Sequence, residues 1–116
     1  MELWTHAYSA PRAIRHSAEL AEAGGWYGLS VVDSQNLSGD AFIALAQAAN
    51  VTSELALQTG VTNSITRTAA AVASAIATVQ SISRGRAVLG IGRGDSALAH
   101  LGRAPARLGQ IGRAHV

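Results

Sequence analysis

Short β-branched apolar runs alternate with longer stretches of helical periodicity, and this constrains the chain more than anything else in it. Leu29-Ser30-Val31-Val32, Leu55-Ala56-Leu57-Gln58-Thr59-Gly60-Val61 and Ala87-Val88-Leu89-Gly90-Ile91-Gly92 read as strands, as does Glu2–His6. Their starts recur at intervals of about 25 to 32 residues, the length of one βα unit. The order β-α-β-α-β-α-β follows, an α/β chain with about four parallel strands and three to four helices. Right-handed crossovers keep such strands adjacent, so the pattern fits half a barrel or part of an open doubly wound sheet, and spacing alone does not choose between them.

The first helix is expected to be capped by Ser9, to take Pro11 in its first turn and to end at Gly24-Gly25, with Ile14, Ala18 and Ala21 as its buried stripe. Asp40 caps the second, which runs to about Asn50 and turns Phe42, Leu45, Ala46 and Ala49 inward. The third runs from Ala69 to about Ser83, with a stripe at Val72, Ala73, Ile76, Val79 and Ile82.

Composition narrows the function. Of 116 residues, 48% are hydrophobic and only 4% aromatic, which suits close-packed helices and parallel strands better than a base-stacking surface. The nine basic residues are all arginine, they are scattered, and the net charge is +2, so no nucleic-acid partner is expected. With no cysteine there is no disulfide framework or thiolate metal site, and redox work needs a bound cofactor. The N-terminus lacks a signal-peptide pattern and no long uncharged apolar run occurs, so a cytoplasmic protein without membrane contact is expected. His6, His16, His100 and His115 show no metal spacing, and no metal is inferred; His6, at the end of the first strand, can reach the rim.

Sites of parallel α/β folds form at the carboxyl ends of the strands, which here collects Asp33-Ser34, Gly60-Val61-Thr62-Asn63 and Gly92-Arg93-Gly94-Asp95. Asp33 can accept a proton or a ligand hydrogen bond, or cap its own loop. Gly60, lacking a Cβ, permits a bulge or the approach of a planar ligand, or simply turns the chain. Thr62 and Asn63 can donate to a heterocycle or cap a loop. Gly90-Ile91-Gly92-Arg93-Gly94-Asp95 departs from a dinucleotide loop, because its third glycine comes one residue early and an acid follows. Asp95 therefore reads as a substrate-side acid or a helix cap.

The stretches Thr59-Gly60-Val61-Thr62-Asn63-Ser64-Ile65-Thr66-Arg67 and Ala73–Thr78 leading to Gly85–Asp95 resemble the luciferase-like monooxygenase superfamily, especially its methylenetetrahydromethanopterin reductase-like, deazaflavin-dependent branch. The resemblance covers residues 1 to about 109. It implies the N-terminal half of a (β/α)8 TIM barrel, taken from an oxidoreductase that transfers a hydride or activates oxygen at a deazaflavin (coenzyme F-420, favoured) or FMN. It implies a ring at the carboxyl rim, against a bulge with a cis non-prolyl Gly60–Val61 bond. Cofactor contacts then fall on Gly60, Val61, Thr62, Asn63 and Gly92, with Asp95 and Asp33 as the catalytic acids, Asp95 matching a position that serves some members as proton donor. A small-molecule substrate and a homo-oligomeric parent are implied as well.

Two departures stand out: Ser34 occupies a position that is often His in deazaflavin enzymes, and Ser64 one that is commonly Pro. Residues 111–116 read as a translated sequencing adapter, so 1–109 is expected to be a truncated barrel domain and 110–116 a non-native tail. Alone, such a piece is expected to be inactive. A Rossmann-like nucleotide binder, with strand order reversing at the first strand, and a non-catalytic assembly module are the alternatives.

Overall fold

The strand at the centre of the sheet, β2 (Gly28–Val31), is buried at all four positions. In the computed structural model, which describes residues 1–109, β1 (Trp4–Ala7) pairs with one side of β2 and β3 (Ala56–Thr59) with the other. The short β5 (Ala87–Val88) completes the sheet beyond β3. All pairings are parallel and the order β1-β2-β3-β5 is sequential, with no reversal at the first strand. That order settles the choice left open by spacing against the open nucleotide-binding sheet. The expected tail, 110–116, lies outside the described residues.

Three helices cover one face of the sheet. In α1 (Ile14–Ala23) the buried residues are Ile14, Ala18 and Ala21, as the periodicity predicts. The helix begins later than expected: Pro11–Ala13 form a turn, and Ser9 caps nothing. Its hydroxyl instead donates to the Val32 carbonyl at 2.6 Å, tying the exit of β1 to the end of β2. In α2 (Ala41–Ala49), Asp40 accepts from the Phe42 and Ile43 amides as a helix cap should. Ala44 and Ala48 are buried as well and Ala46 only half so, because α2 packs against α1 and α3 besides the sheet.

In α3 (Ala69–Ile82) only Val72 and Val79 are fully buried; Ile76 is half-buried and Ala73 and Ile82 are exposed. The sheet beneath it ends in a two-residue strand, too short to cover the whole predicted stripe. Leu29, Val31, Leu45, Leu55 and Leu57 form the heart of the core between sheet and helices. On the other face the register aligns His6, Ser30, Gln58 and Val88 across the four strands. No described helix is long and apolar enough to cross a membrane.

At the amino ends of the strands two side chains hold the turns together. Glu22 accepts from the backbone amides of Ser53, Glu54 and Leu55 at 2.8–3.1 Å. Arg86 donates to the carbonyls of Ala49, Thr52, Leu55 and Ser83 and to the Thr52 hydroxyl. These satisfy backbone groups that helix ends leave unpaired.

The third and fourth predicted strands each break in two. After Thr59 comes the Gly60–Val61 peptide bond, which is cis, and the chain resumes as β4 (Thr62–Asn63). The other strand breaks at Leu89-Gly90 and resumes as β6 (Ile91–Gly92), which pairs in parallel with β4 through Thr62–Ile91 and Asn63–Gly92. One side chain stitches the two breaks: Thr59 Oγ1 donates to the Gly90 carbonyl at 2.7 Å and accepts from the Gly90 amide at 3.0 Å. A Cβ on Gly90 would stand 2.0 Å from the Thr59 carbonyl oxygen, so this approach requires glycine. After β6 the chain turns through Gly94 into the short α4 (Asp95–His100).

Candidate functional site

The carboxyl ends of β2, β3 and β6 and the start of α4 enclose an open groove of about 410 Å3, lined among others by Asp33, Gly60, Val61, Gly92, Gly94 and Asp95. Five of the seven residues singled out from the sequence therefore meet at one surface. Gly60 and Gly92 supply wall without side chains, and Val61, 45% exposed, presents its side chain at the rim. Asp95 is exposed at the first position of α4, where a carboxylate suits the positive end of the peptide dipoles. It follows Gly94, whose φ of 79° belongs to the left-handed region.

Thr62 and Asn63, the other two, are fully buried behind that wall. The Thr62 hydroxyl donates to Asp33 Oδ2 at 2.7 Å. Asn63 Oδ1 accepts from the amides of Ile65 and Thr66 and from the Thr66 hydroxyl, shaping the turn that leaves β4. Its Nδ2 is buried with no hydrogen-bond partner. Both residues support the groove from behind.

Asp33 lines the groove yet its side chain is only 1% exposed, and both its oxygens are engaged. Oδ1 accepts from Gln35 Nε2 at 2.9 Å and Arg67 Nη2 at 3.2 Å, and Oδ2 accepts from Thr62 and, at 3.4 Å, from Arg67 Nε. Its hydrogen bonds therefore run to side chains rather than to the loop backbone. Arg67 also donates to Asp40 Oδ2 at 2.7 Å, and its guanidinium lies over the Phe42 ring, 4.8 Å from the centroid.

Burial works against charge on Arg67, but its hydrogen bonds to Asp33 and Asp40 outweigh that and raise its pKa. Burial pushes the Asp40 carboxyl up, and the Arg67 hydrogen bond with the Ile43 and Phe42 amides more than reverses this and holds it below its usual range. Arg67 thus binds the end of β2 to the start of α2 and, through Asp33, to β4. Sequence reasoning had not assigned it a role. The available signal was two acids, at a strand end and a helix start, with one arginine in the loop after β4. Among the described residues no group of three or more His, Cys, Asp or Glu side chains could hold a metal ion.

A family profile described as luciferase-like monooxygenase matches residues 2–108. The chain belongs to this family. Among curated relatives of the luciferase-like chain, the 5,10-methylenetetrahydromethanopterin reductase of Methanolobus tindarius is 43% identical over 84 residues, which are 72% of this chain and 26% of the relative. The enzyme of the same name from Methanopyrus kandleri is 39% identical over 87 residues, 75% of this chain and 25% of its own. The chain thus spans about a quarter of the length of these relatives.

Among solved structures, the coenzyme F420 dependent tetrahydromethanopterin reductase from Methanopyrus kandleri superimposes with a TM-score of 0.81 at 33% identity, over 87% of this chain and 30% of that one. Monooxygenase RslO1 from Streptomyces bottropensis gives a TM-score of 0.66 at 29% identity, over 71% of this chain and 26% of its own. The four-stranded sheet and its helices are the N-terminal part of the (β/α)8 barrel, as the resemblance implied.

Proposed function

We propose that this luciferase-like chain is the ring-binding part of an oxidoreductase that transfers a hydride between coenzyme F-420 and a small organic substrate. The observation that carries the reading is the groove itself: glycine wall at Gly60, Gly92 and Gly94, an exposed acid at Asp95, and a position at the carboxyl ends of parallel strands. Its volume of about 410 Å3 and its lack of bulky side chains on one wall suit part of a planar heterocycle. Two relatives at 39–43% identity bear the name of a methanopterin reductase, and the F420-dependent reductase structure supports the deazaflavin over FMN.

Bound there, a deazaflavin would accept or return a hydride at its central ring. The chain's own residues do the rest. Gly60 and Val61 form the surface on which the ring rests, and Gly92 lets it approach the backbone. Asp95 holds or releases a proton at the groove's open side, the role its exposure allows. Asp33, held by Arg67, fixes the rim's shape and keeps Thr62 in register beneath it.

Fluorescence titration of the purified chain with coenzyme F-420 and with FMN tests this. Binding of the deazaflavin at least tenfold tighter than FMN, but weaker than about micromolar, is expected, since one groove wall holds only part of the ring. Submicromolar affinity for either would overturn the view that the chain is inactive alone. Tighter FMN binding would favour a monooxygenase over the deazaflavin reductase.

A further inference from the structure

Gly60 is needed by its own neighbours before any ligand arrives. A Cβ there would stand 1.8 Å from Ser30 Oγ and 3.3 Å from His6 Cε1. The His6 imidazole therefore reaches from β1 across β2 to the edge of the Gly60 surface. Its Nδ1 lies 3.2 Å from the Ser30 carbonyl oxygen. A carbonyl only accepts, so Nδ1 carries the proton, and in the neutral ring Nε2 is left as an acceptor. The side chain is exposed on the face of the sheet opposite the helices. It lines a second cavity, of about 280 Å3, with Ala7, Tyr8 and Val32, and Val32 also lines the groove at Asp95.

We infer that His6 is a further cofactor-binding residue, its Nε2 accepting a hydrogen bond from the imide N–H of a flavin-type ring resting on Gly60–Val61. The inference rests on the proposed oxidoreductase function. The ring offers one such donor at its pyrimidine end in both the deazaflavin and FMN, so the contact orients the ring rather than choosing between them. The Ser30 carbonyl, by accepting from Nδ1, sets the tautomer and leaves Nε2 of the neutral ring as the acceptor. His16, exposed on α1, has no such setting and serves as an internal reference.

The chain labelled with 15N-histidine, titrated with coenzyme F-420 and with FMN, tests this by long-range proton–nitrogen NMR. In the free chain the neutral His6 ring is expected to carry its proton on Nδ1. On saturation the His6 Nε2 resonance should move while that of His16 does not. By fluorescence, His6→Phe should weaken binding roughly tenfold, the size a single hydrogen bond carries, and His6→Gln, which keeps an acceptor, should recover most of it. A bare Nδ1 in the free chain, or saturation that leaves His6 Nε2 unmoved, overturns the inference and leaves the proposed function standing. If neither cofactor binds, the proposed function falls and the inference with it. Should His6→Phe not fold, the spectra of the unaltered chain decide alone.

Discussion

Arg67 shows how much one side chain can organise at a rim. It meets two carboxylates and an aromatic face, and one of those carboxylates, Asp33, is almost wholly buried. Removing the partner of a buried charge costs more than the pair contributes, because the remaining ion is left desolvated and unpaired. Arg67→Ala is expected to lower the free energy of unfolding by about 3 kcal/mol in urea titrations. Arg67→Lys should recover less than half of that, because a single ammonium cannot span Asp33 and Asp40 as the guanidinium fork does. The same argument separates the two acids named from the sequence. Asp33 is committed to its neighbours, whereas Asp95 stands exposed at the groove, so the Asp95→Asn change should leave urea stability within about 0.5 kcal/mol of the unaltered chain.

At the scale of elements, the turn into β3 depends on Glu22, at the end of α1. Burial pushes its carboxyl up, but the amides of Glu54, Leu55 and Ser53, with the Arg86 charge, outweigh this and hold its pKa below the usual carboxylate range. A carboxyl depressed on folding contributes stability that is fully present above its unfolded value and is lost as pH falls through the folded one. The urea midpoint should therefore be level above about pH 5 and decline below it, and Glu22→Gln should flatten part of that decline. Asp40, also depressed, adds to the same acid limb. The paired strand breaks make a second test. Gly90→Ala drives a Cβ into the Thr59 carbonyl, a backbone atom that no rotamer change can move aside. A loss of about 1–3 kcal/mol is expected, with faster amide exchange concentrated in β4 and β6.

Across the whole molecule, protection should follow position in the sheet. β2 is paired on both sides and buried throughout, while β1 and β5 each have one unpaired edge among the described residues. Hydrogen exchange should be slowest in β2 and the facing part of β3, and fastest in β5 and α4. Protection of β1 and β5 equal to that of β2 would mean that their outer edges are covered in solution, by another copy or by further chain, since an unpaired strand edge exchanges freely.

The alternation of β-branched runs with helical stripes set the class, the order of elements and the buried faces of α1, because hydrophobic periodicity is a local property that any packing must respect. Asp40 as a cap and the convergence of Asp33, Gly60, Val61, Gly92 and Asp95 were legible for the same reason: parallel βα units bring their carboxyl ends to one side. Other features came from contacts between residues far apart in the chain. Thr59 meets Gly90 across 31 positions, Arg67 meets Asp33 across 34 and Ser9 meets Val32 across 23. Those contacts split two predicted strands, moved the start of the first helix, and placed Thr62 and Asn63 behind the groove instead of on it. A local pattern states which face of an element is apolar; only the assembled sheet decides which polar groups are close enough to satisfy one another.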